Sequence, residues 1–91
     1  MKFEWDVEKA KVNKEKHGIT FEEAASIFSS DYRFFFDKGD YNEPRYKAIG
    51  FDKYGRLLAV IYAMPSDHII RIISARRTTK NERNQYGKTY P

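Results

Sequence analysis

The chain has 91 residues, 41% of them hydrophobic and 16% aromatic, which supports one small domain over residues 1–91 with a modest core. It has no cysteine, which excludes disulfides and thiolate metal sites, and no apolar run approaches the length of a membrane span. Its net charge of +4 is uneven: residues 1–70 hold 11 Lys and Arg against 12 Asp and Glu, and residues 71–91 hold 6 against one, so the basic end points to an anionic partner.

In chain order, Lys2–Trp5 alternates and reads as an opening strand. The start, MKFEWDVEKAK, lacks the apolar segment of a signal peptide, so a cytoplasmic setting is expected. Asp6 is a suitable N-cap for a helix from Val7 to His17, which Gly18 ends. Thr20-Phe21-Glu22-Glu23 has capping-box spacing. Phe21, Ala24, Ala25 and Phe28 follow as an apolar stripe at helical period, with Ile27 beside it and an end near Ser29 or Ser30.

The period then falls to two. Tyr32–Asp37 reads as an aromatic strand and Lys38–Pro44 as a loop. In Arg45–Asp52, Tyr46, Ala48 and Gly50 face one way while Lys47, Ile49 and Phe51 face the other. Asp52–Arg56 is a hairpin connection with Gly55 free to take a positive φ, Leu57–Met64 a central strand, and Pro65-Ser66-Asp67 a turn. The next strand, His68–Ala75, places Arg71 among Ile69, Ile70, Ile72 and Ile73 and leads into Arg76 and Arg77. Arginines in a core strand need an acid or a bound anion. Simple alternation puts Arg76 on the face of Ile70, Ile72 and Ser74. Thr79–Glu82 repeats the capping-box spacing ahead of a short helix to Tyr86, stopped by Gly87 and followed by a loose tail. Two helices before a run of strands imply an α+β fold with the helices on one face.

Three blocks in this order resemble the BrnT family: Phe3-Glu4-Trp5-Asp6, Lys16-His17-Gly18-Ile19-Thr20-Phe21-Glu22-Glu23-Ala24, and Arg71-Ile72-Ile73-Ser74-Ala75-Arg76-Arg77. The resemblance implies a RelE-like fold, with an N-terminal strand and two helices packed on an antiparallel β-sheet and a short C-terminal helix. It implies the toxin of a type II toxin–antitoxin system, a ribonuclease that inhibits translation. The implied partner is a BrnA-type ribbon-helix-helix antitoxin, in a heterotetramer built on an antitoxin dimer, with DNA reached only through that antitoxin. The competing expectation is a non-catalytic RNA- or protein-binding module of the same fold.

RNA cleavage without a metal needs a base for the 2′-OH, an acid for the leaving 5′ oxygen, and cations for the phosphorane. No His, Asp and Glu cluster has metal-ligand spacing, so no metal and no cofactor are expected. The catalytic candidates are Arg71 and Arg76 as phosphate-binding cations, His17 as acid or base, and Glu43 as base. Arg77, Lys14, Lys80 and Arg83 are candidates for binding RNA. Each has a plainer alternative: Arg71 paired with an acid across the strand, His17 settled on its helix dipole, Glu43 a plain loop acid, which is the better reading of it, the arginine pair a basic face toward an acidic antitoxin, the lysines a solvated surface. The triple Phe34-Phe35-Phe36 suits base stacking or, better, core packing.

Overall fold

Caps and alternation set the elements. In the structure, a computed structural model that describes residues 1–39 and 42–88, the order is β1 (Lys2–Glu4), α1 (Val7–His17), α2 (Phe21–Ala25) running into a 3-10 turn (Ser26–Ser29), β2 (Arg33–Asp37), β3 (Arg45–Phe51), β4 (Leu57–Ser66), β5 (Ile69–Arg77) and α3 (Lys80–Lys88). The sheet order is β1-β5-β4-β3-β2. It is antiparallel from β2 to β5, and β1 adds to β5 in parallel, with Glu4 level with Arg71.

Asp6 caps α1 by accepting from the Lys9 N–H at 3.0 Å. Gly18 closes the helix at φ 71°, a conformation that costs a residue without Cβ little. Thr20 and Glu23 form both bonds of the capping box, 2.8 and 3.0 Å. That cap aims Phe21, Ala24 and Ile27 at the sheet, where all three are fully buried against Ala48, Leu58, Val60, Tyr62, Ile70, Ile72 and Ala75. Each large apolar side chain in this layer contributes about 1.5–3 kcal/mol over its exposed state.

The β3–β4 hairpin is tied by Asp52. Its carboxylate accepts from the Tyr54 and Arg56 N–H groups at 3.0 and 2.8 Å, and it pairs with the Arg56 guanidinium at 2.6 Å. Gly55 takes φ 80° in the turn. Strand β4 passes Met64 and reaches Ser66, because Pro65 sits in a register shift of the β4–β5 ladder where its missing N–H costs no bond. The turn narrows to Asp67 and His68.

A second register shift decides the site. Ile61 pairs with Ser74 and Tyr62 with Ile72, so Ile73 is left out of the ladder. Ile70 and Ile72 face the helices before this bulge, and Ala75 does so after it. Arg76 therefore does not share the face of Ile70 and Ile72, as unbroken alternation predicts. The extra residue turns it to the face of Arg71. Helix α3 lies on that opposite face too: Tyr86 meets Phe51 at 5.8 Å and donates its hydroxyl to the Asp31 carbonyl at 2.9 Å. Helix α3 runs through Gly87 to Lys88 instead of stopping at Tyr86; the rest of the expected tail, residues 89–91, lies outside the described residues, as do 40 and 41 of the loop.

Candidate functional site

The sheet face away from α1 and α2 carries two arginine-centred clusters. The first lies at the β1 end of β5. Arg71 donates from Nε to Glu4 Oε2 at 2.7 Å and from Nη1 to Glu43 Oε1 at 2.9 Å. Parallel pairing puts Glu4 beside Arg71, and the loop before β3 delivers Glu43. The bond that Arg71 donates to Glu4 holds the guanidinium above its usual pKa, against partial desolvation. The three side chains remain 41 to 44% exposed. Ion pairs this open are screened by water and hold their partners weakly.

The second cluster lies under α3. Arg76 donates from Nη1 and Nη2 to the two oxygens of Glu82, at 2.6 and 2.8 Å, and Lys47 Nζ stands 3.1 Å from the same carboxylate. Glu82 also completes the cap of α3, accepting from the Thr79 N–H at 2.9 Å. Burial pushes the Glu82 carboxyl up, but the bonds from Arg76, Thr79 and Lys47 outweigh it and hold the pKa at about 2. A carboxylate that acidic is a poor proton acceptor near neutral pH. The groove beside it is lined by Phe35, Phe36, Asp37, Lys38, Ile61 and Gln85 together with Lys47 and Arg76.

The other predicted residues lie elsewhere. Arg77 is exposed at the end of β5. Lys80 and Arg83 project from α3, with Arg83 donating to the Thr78 carbonyl at 2.9 Å. His17 lines a groove between α1 and β5 with Val12, Asn13, Ile73 and Ser74, whereas Lys14 lines another with Trp5 and Phe21. The fold thus joins Arg71 to Glu43 and sets Arg76 on the same face, but forms no ion pair or hydrogen bond from His17 or Lys14 to any of them. Among the described residues, no group of three or more His, Cys, Asp or Glu is placed to hold a metal ion.

Sequence reasoning passed over Lys47, Glu4 and the second role of Glu82. Lys47 had a signal, as the only charge between the ends of β3. Glu82 was visible solely as a cap. Phe34 and Phe36 are 63 and 59% exposed, contrary to the core packing predicted for the aromatic triple. They lie on the edge strand, where, among the described residues, Phe36 meets the ring of Tyr46 at 5.9 Å and Phe34 meets none.

Comparisons with known proteins bear on this site. The family described as "Ribonuclease toxin, BrnT, of type II toxin-antitoxin system" matches residues 5–82. The crystal structure of the Brucella abortus ribonuclease toxin BrnT superposes with a TM-score of 0.70 at 29% identity, covering 88% of this chain and 99% of that one. No curated protein sequence matches the chain.

Proposed function

Because the chain belongs to the BrnT family of ribonuclease toxins of type II toxin–antitoxin systems, we propose that its cutting centre is the Arg71–Glu43 couple on the open sheet face. The observation that carries this reading is the 2.9 Å bond between that guanidinium and that carboxylate, both accessible to a ligand. An RNA phosphate takes the place of the carboxylates on Arg71. Glu43, released beside it, accepts the 2′-OH proton as the 2′ oxygen attacks phosphorus. Arg71 offsets the charge that builds on the phosphorane oxygens, and Arg76, five residues along β5, holds a neighbouring phosphate of the same strand. Water, which reaches this face freely, protonates the leaving 5′ oxygen. The products are a 2′,3′-cyclic phosphate and a 5′-hydroxyl end, with no metal or cofactor in any step.

Lys80, Arg83 and Arg77 extend the positive surface along the RNA backbone. His17 and Lys14, on α1 at the edge of β5, take no chemical step in this mechanism and serve backbone or partner contacts.

A type II toxin has an antitoxin partner. We propose that here it is a BrnA-type ribbon-helix-helix protein, that two toxins sit on one antitoxin dimer, and that DNA is met only through the antitoxin. The setting proposed is the cytoplasm; among the described residues no helix is long and apolar enough to cross a membrane.

The test is induction of the chain alone in bacteria. RNA carrying new 5′-hydroxyl ends, together with arrested growth that co-expression of the antitoxin relieves, supports the reading. Intact RNA during arrest contradicts it and favours a binding module without catalysis.

A further inference from the structure

Three side chains from three elements meet over the far face: Lys47 of β3, Arg76 of β5 and Glu82 of α3. Strand β4 lies between β3 and β5, so the two cations reach across it toward one carboxylate. Without that carboxylate they would repel each other at this range. The trio carries a net charge of +1, the complement of one phosphodiester. Glu82 is only 4% exposed, whereas the Arg76 and Lys47 side chains are 38 and 24% exposed. A ligand entering the groove meets these two cations, with Lys38 and Asp37 on the same wall, while most of the Glu82 carboxylate is covered beside them.

We infer that Glu82 is a positioning residue, which gathers Lys47 and Arg76 into one cradle for a backbone phosphate of the RNA. The inference rests on the reading that this face binds RNA. It makes α3 part of the site, because the carboxylate that holds the cations also caps that helix through Thr79. It also gives Lys47 a role: a cation fixed by its acid partner in a groove, rather than a lysine on a solvated strand.

Glu82→Gln tests this. Glutamine at the third helical position keeps the cap and the side-chain length but removes the charge. Charge alone would make this variant bind RNA more tightly, since the protein becomes more positive. Positioning gives the opposite. With a single-stranded RNA oligonucleotide, KM rises about tenfold while kcat holds, the mark of lost uniform binding. Thr79→Ala weakens the cap without touching the carboxylate, and its KM stays near that of the unchanged protein.

An unchanged or lower KM for Glu82→Gln overturns the inference. So does an equal rise in Thr79→Ala, which would assign the effect to the seating of α3. Arg71→Ala is measured alongside. If it is inactive while Glu82→Gln binds normally, only this inference falls. If Arg71→Ala cuts like the unchanged protein, the assignment of the face falls and this inference with it.

Discussion

Asn13 on α1 pairs with the backbone of Ala75 on β5 in the manner of a neighbouring strand. Its Nδ2 donates to the Ala75 carbonyl at 2.9 Å, and its Oδ1 accepts from the Ala75 N–H at 3.0 Å. Strand β1 pairs with β5 only as far as Arg71, so the edge beyond is open and one buried amide closes it at Ala75. The same Nδ2 also donates to the Ile19 carbonyl at 3.0 Å, which pins the turn between the two helices.

Asn13→Ala leaves a buried N–H and two carbonyls without these partners. A loss of about 2–4 kcal/mol is expected in urea unfolding. A loss within the range of an exposed helical substitution would show that water satisfies the same groups.

Acid stability reports on Glu82. Its folded pKa, about 2, lies below the ordinary 4.5. The stability it contributes is therefore complete above about pH 4.5 and drains away as pH falls through the folded value. The shift corresponds to at most about 3 kcal/mol. Glu23 and Asp52 are also held below their usual values. Burial opposes the lowering of Asp52, which its bonds from Arg56 outweigh, and the Thr20 N–H leads the lowering of Glu23. Stability of the whole chain thus falls in acid. Urea midpoints at pH 7, 4.5 and 2.5 should fall less steeply in Glu82→Gln than in the unchanged protein. Parallel curves would contradict the strong pairing of Glu82.

Gly50 lies in β3 where a Cβ would stand 2.8 Å from the Tyr32 Cβ and 3.3 Å from the Tyr32 Cα. Backbone cannot yield as a long side chain does. Gly50→Ala is expected to cost about 1–3 kcal/mol in chemical denaturation, with β2 pushed from its place at the sheet edge. A neutral substitution would show that the segment before β2 moves freely.

Local chemistry made much of the fold readable. The caps at Asp6, Thr20 and Thr79, the stop at Gly18 and the alternation of β3 are statements about neighbours within four residues, and each element forms where those statements place it. The site was less readable because its geometry is not local. Arg71 meets Glu4 and Glu43 from 67 and 28 residues away, and no periodicity encodes that meeting. Parallel addition of β1 beside β5 is likewise invisible from Lys2–Glu4 alone. The bulge at Ile73 interrupts an apolar run in which every residue suits either face, so the sequence carries no mark of where alternation slips, and the face of Arg76 follows from that slip. Arg71 itself stood out, because a charge inside an isoleucine strand demands a partner.

The central claim is that Arg71 and Glu43 cut RNA together. Its most direct test is the cleavage rate of a synthetic RNA by purified protein, compared with Arg71→Ala and Glu43→Gln, each shown to be folded by circular dichroism and thermal melting. Both variants should lose at least ~100-fold in rate while the unchanged protein leaves 5′-hydroxyl ends. Cleavage by folded Glu43→Gln and Arg71→Ala at the unchanged rate would place the chemistry elsewhere on the molecule.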